Sequence, residues 1–123
     1  MAAKVTETTF NARKTLAITG RNDAVPMKGL ANHTVIPYGG HVIQHIQKED
    51  RSTGEIMEEF DSIIIATPDG ELYATRSDSF MRSLREIIDQ LAADNDTDPF
   101  ALDVYHGKSN AGREYTTCSL YVD

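Results

Sequence analysis

The apolar positions change period along the chain, and the changes mark its elements. Residues 4–19, KVTETTFNARKTLAIT, alternate weakly and predict one strand. Residues 20–32, GRNDAVPMKGLAN, are rich in Gly, Pro, Asn and Asp and predict a loop, long for a compact domain and of the kind that is often functional. From His33 the pattern is that of a strand: Thr34-Val35-Ile36, an interruption at Gly39-Gly40, then His41 to Gln47. A Gly pair inside a strand predicts a bulge or a sharp bend. Residues 48–54 predict a polar hairpin loop, and residues 55–67 a long strand ending in a β-branched run. Pro68-Asp69-Gly70 is a strong turn signal, with residues 71–76 returning as the paired strand.

The period then becomes helical. Phe80, Met81, Leu84, Ile87, Ile88 and Leu91 share one helix face, with Ser79 as the N-cap and Asn95 as the terminator. Residues 100–105 and 113–122 predict a last hairpin about the loop 106–112. In its second strand Thr116, Cys118, Leu120 and Val122 share one face, and Tyr115, Thr117, Ser119 and Tyr121 the other.

This order, β-β-β-α-β-β with an extra N-terminal strand or arm, predicts an all-β domain with one helix: a five-stranded OB-fold barrel. The single domain spans 1–123, with 1–32 as strand or arm and loop, and 33–123 as barrel. The helix plugs one end of the closed sheet, and Phe80 and Phe100 fall in the core. OB barrels bind oligonucleotides across strands 2 and 3 and the flanking hairpin loops. Here those are residues 55–76, 48–54 and 106–114.

A chain of 123 residues closes such a core without metal or disulfide staples. The one cysteine, Cys118, excludes an internal disulfide and sits on an apolar strand face, where a buried thiol is expected. The first 14 residues have no apolar core of a secretory signal, and no run approaches the ~20 apolar residues of a membrane span. A cytoplasmic protein is expected. Net charge is −7, unfavourable to a phosphate binder, but it is unevenly placed. Residues 1–48 carry six Lys/Arg and two acids (+4), and residues 49–123 six Lys/Arg and seventeen acids (−11). Such asymmetry leaves room for one basic surface on an acidic protein.

Candidate chemistry is sparse. Gly107-Lys108-Ser109 resembles the end of a phosphate-binding loop, but Leu102 stands where its first glycine belongs. The Asp94–Asp98 run opens like a calcium loop, but has Pro99 for the glycine and Tyr105 for the bidentate glutamate. His33, His41, His45 and His106 lack zinc spacing with Cys118. No metal, cofactor or catalytic constellation is expected, and so no enzyme. What remains is aromatic residues interleaved with bases, the pattern of single-strand binding: a nucleobase stacks on a ring while a cation holds the phosphate. The candidate contacts are the rings Tyr38, Phe60, Tyr73, Tyr105, Tyr115 and Tyr121 and the cations Lys48, Arg51, Arg76, Lys108 and Arg113.

The chain resembles the single-stranded DNA-binding proteins of tailed phages that replicate by protein priming. The resemblance runs from about Thr9 to the C-terminus. It lies in Thr9-Phe10, Lys28-Gly29-Leu30, Thr34-Val35-Ile36, Ala66, and Asp69-Gly70-Glu71-Leu72-Tyr73. It continues in Ile87-Ile88-Asp89, in His106 to Gly112, and in Ser119-Leu120. It implies a non-catalytic protein of the host cytoplasm that coats displaced single strands during replication, without sequence preference, and protects them. Tyr73 is carried over as the aromatic of the strand-3 Leu-Tyr pair, and Lys108 as the base of the last hairpin. The implied partner is single-stranded DNA, with further copies of the chain or replication proteins beside it. The acidic remainder supports an alternative, an OB module that recruits a replication or host factor.

Overall fold

The computed structural model describes residues 2–123. The elements are β1 (Ala2–Thr8), α1 (Ala12–Thr19), β2 (Val25–Pro26), a 3-10 turn (Met27–Gly29), β3 (Thr34–Pro37), β4 (Gly40–Glu49), β5 (Ile56–Ala66), β6 (Leu72–Thr75), α2 (Asp78–Ala93), β7 (Ala101–Lys108) and β8 (Glu114–Leu120). They form a five-stranded sheet in the order β1-β4-β5-β6-β2 and a three-stranded sheet in the order β3-β7-β8. β3 and β4 are one ribbon bent at the glycine pair, so a single segment serves both sheets. The bend requires glycine. Gly40 has φ +151°, and a Cβ there would meet Thr9 Oγ1 at 2.6 Å and the Phe10 ring. A Cβ on Gly39 would lie 2.8 Å from the Ala66 carbonyl oxygen.

The main core lies between the sheets. Ile36, Ile63, Ile65, Leu102, Val104 and Cys118 meet Phe80 and Leu84 of α2, and Phe80 is fully buried. The helix begins one turn signal earlier than the sequence predicts. Ser77, not Ser79, is the N-cap, and its hydroxyl accepts from the Phe80 N–H at 3.3 Å. The same hydroxyl donates to the Thr116 carbonyl at 2.5 Å, which ties the cap to β8. Asn95 does end the helix, in the left-handed region at φ 54°.

Two expectations are corrected and one alternative is resolved. The described residues hold two helices, because the strand in residues 4–19 ends at Thr8 and a helix follows from Ala12 to Thr19. Asn11 caps α1 by accepting from the Lys14 N–H at 2.9 Å, and Thr15 and Ile18, three apart, turn one face inward. Leu16 is left 71% exposed, so the apolar residues of the segment do not share one face and no helical stripe shows in the sequence. Second, of the strand and the arm that the sequence allows for the N-terminal segment, Ala2–Thr8 is a strand, and a helix follows it. β1 pairs antiparallel with β4 from Ala2↔Gln47 to Thr8↔Val42, and α1 sets Ile18 on a second cluster of Val42, Ala66 and Leu72. Third, the sheets do not close as a five-stranded barrel. β2 takes the free edge of β6 in parallel (Val25↔Tyr73, Pro26↔Ala74), and the 3-10 turn with fully buried Met27 stands between β6 and β8. Among the described residues no ladder joins β6 to β8.

Candidate nucleic-acid interface

Strand alternation divides β5 between two environments. Ile63 and Ile65 point into the main core, while Phe60, Ser62 and Ile64 point to the opposite face. In register with them, Ala74 lies across from Ile64. Phe10 and Ile18 cover the Ile64 end of this outer face, where Val42, Ala66 and Leu72 are buried. The Phe60 end is left open as a hollow of about 350 Å³, floored by Phe60, Ser62 and Ala74 and walled by the 26–28 segment.

Three cations stand over that floor. The Arg76 guanidinium carbon is 4.5 Å from the Phe60 ring centre, Lys48 Nζ is 5.5 Å from it, and Lys28 comes in from the 3-10 turn. Both near cations also reach Glu58: Arg76 Nη1 is 3.0 Å from Oε1, and Lys48 Nζ is 3.8 Å from Oε2. A second hollow of about 590 Å³ shares Lys28, Thr75 and Arg76 with the first and continues to His106, Arg113 and Tyr115. The two form one groove across the sheet seam, from the β4–β5 hairpin to the β7–β8 hairpin. Four cations line it, Lys28, Lys48, Arg76 and Arg113, against the acids Asp78 and Glu114 and the Glu58 that bridges two of them. On a chain of net charge −7 this is a local excess of positive charge. It offers a ring for a base and guanidinium and ammonium groups for phosphates.

A family profile described as Phage Single-stranded DNA-binding protein matches residues 4–121. The chain belongs to that family. No curated protein and no solved structure matches it. Membership makes single-stranded DNA the implied partner, and the groove is where a family member of this shape has rings and cations together.

Of the residues singled out from sequence, the groove gathers Lys48, Phe60, Arg76, Arg113 and Tyr115. The ring of Tyr115 also lies close over Gly107, where a Cβ would come within 2.6 Å of it. Arg51 and Lys108 are exposed at the two hairpins that end the groove. The others lie elsewhere. Tyr73 sits opposite Ile65 on the inward face, packs on the main core, and donates its hydroxyl to Glu71 at 3.0 Å. Burial and that carboxylate raise its pKa. Tyr38 stacks on Phe100 at 4.8 Å and its hydroxyl is 2.7 Å from His41 Nδ1; burial and the charge of Glu7 push it up to about 12. Tyr105 stacks on His33 at 5.6 Å, on the outer side of the three-stranded sheet. Tyr121 lies near Asp96, Asp98 and Asp123, and its pKa is raised by its hydrogen bond to Asp123. Phosphate is repelled from such a neighbourhood.

Lys28 is the groove cation that the aromatic–base pattern does not single out. It lies outside the strands and hairpins that hold the candidate rings and reaches the groove from the long 20–32 loop. The length of that loop was the available signal.

Proposed function

We propose that this protein binds single-stranded DNA without sequence preference along the groove, coating and protecting strands displaced during phage DNA replication. In this reading the two bent sheets are a variant of the OB barrel in which β2 and the 3-10 turn fill the gap between β6 and β8. The observation that carries the proposal is Phe60, floored into an open face with Arg76 and Lys48 over its ring and Lys28 and Arg113 continuing the cation track. A base stacked on a ring beside a phosphate-binding cation is the unit of sequence-tolerant binding, since every base has a π-face. The protein acts as a binder rather than a catalyst, in the cytoplasm of the infected host, where its buried thiol stays free.

The test is titration of end-labelled oligo-dT by fluorescence anisotropy across a salt series. Three to four phosphate contacts on a single strand give a slope of log affinity against log salt of about −2 to −3. Comparable binding of mixed-sequence oligonucleotides is expected. No binding at low salt overturns the proposal, and capture of a replication protein without nucleic acid favours the recruiting module instead.

A further inference from the structure

Glu58 is placed where an acid opposes the groove's task. It is on β5, two residues before Phe60 and on the same face. Its two carboxylate oxygens are divided between the two cations that stand over the Phe60 ring, Oε1 to Arg76 and Oε2 to Lys48. Two oxygens sharing one negative charge and bridging a guanidinium and an ammonium reproduce what the two non-bridging oxygens of a phosphodiester present. We infer that Lys48 and Arg76 form a backbone-phosphate subsite, and that Glu58 occupies it in the free protein as a tethered stand-in that the strand displaces.

The inference rests on the reading of the groove as the DNA site. All three side chains are about half exposed: Glu58 48%, Lys48 49% and Arg76 57%. Ion pairs this exposed are weak and exchange readily with solvent ions, so the carboxylate holds the cations in place without blocking them. A phosphate that enters must push Glu58 out, and the net charge neutralised by the strand is one fewer than the cations suggest. Lys28 and Arg113 have no such tether among the ion pairs of the described residues, so they make first contact and the Phe60 end engages second.

The experiment compares oligo-dT binding of the full chain with Glu58→Gln and, as a control of equal charge change, Glu59→Gln. Glu59 is adjacent in the strand but faces His45 and Gln47 on the other side. Glu58→Gln is expected to bind about two- to fivefold more tightly at low salt. Its salt slope steepens by about 0.7, one extra phosphate equivalent. Glu59→Gln is expected to keep the wild-type slope. Unchanged or weaker binding by Glu58→Gln, or an equal gain in both variants, overturns the inference, the first by making Glu58 neutral or a positioning group and the second by reducing it to net charge. These outcomes differ from failure of the groove itself, in which the wild-type chain shows no binding. Circular dichroism of both variants confirms that this exposed strand face is folded.

Discussion

Phe60 and Tyr73 carry the contrast between a ring that is offered and a ring that is used for packing. Both lie in the hairpin that an OB barrel turns toward nucleic acid, and composition alone makes them equivalent. Alternation separates them once the register is known: Tyr73 faces Ile65 and the core, and Phe60 faces Arg76 and solvent. Phe60→Ala is expected to weaken oligo-dT binding by about 1–3 kcal/mol while leaving the melting temperature nearly unchanged. Tyr73→Ala is expected to do the reverse, lowering the melting temperature through lost packing with a smaller effect on affinity. Anisotropy titration and thermal melts on the same two preparations check both. The interleaving of rings with bases was legible in the sequence and names five groove residues. Which ring faces out was not, because a one-position change of register exchanges the two faces of a strand. The division of Glu58 between two cations was also illegible, since it depends on the approach of β4 and the end of β6 to one point of β5.

At the scale of elements, the patterns with a strong period were the readable ones. The α2 stripe, the Pro-Asp-Gly turn and the glycine interruption all appear where the residues put them. The α1 helix was hidden because its inward face is only Thr15 and Ile18, too little apolar surface to print a stripe. Closure was hidden for another reason: β2 is two residues long, and no periodicity exists in two residues. The bend at Gly40 is the element-level feature most exposed to test. Gly40→Ala demands φ +151° of an alanine and drives its Cβ against Thr9 and Phe10. We expect a loss of about 1–3 kcal/mol in urea unfolding. The exposed Gly54, whose Cβ would meet nothing within 4 Å, is the matched position, because its φ of +74° carries the strain without the crowding.

Across the whole molecule Glu7 ties the basic N-terminal segment to α2 of the acidic remainder. His41, 3% exposed, hydrogen-bonds Glu7 at 2.5 Å through Nε2, and Arg85 of α2 reaches the other oxygen of the same carboxylate. Burial pushes the Glu7 carboxyl up, but the hydrogen bonds from His41 and Arg85 outweigh it and hold the pKa below its ordinary value of 4.5. A depressed carboxylate pKa contributes stability that is complete above the unfolded value and lost as pH falls through the folded one. Glu7→Gln is therefore expected to melt below the wild type at pH 7, with the gap closing as the pH is lowered from about 5 toward 3. A gap that stays constant across that range would detach Glu7 from the acid sensitivity of the fold.

The 3-10 turn that stands between β6 and β8 has one more consequence. It carries Met27 inward to seal the core and Lys28 outward into the groove, so the same three residues are plug and contact. Under the proposed reading of the groove, a strand that grips Lys28 holds the plug in its socket and braces the N-terminal third. In that reading, groove occupancy and seam integrity are linked, so a bound strand raises the protein's resistance to proteolysis.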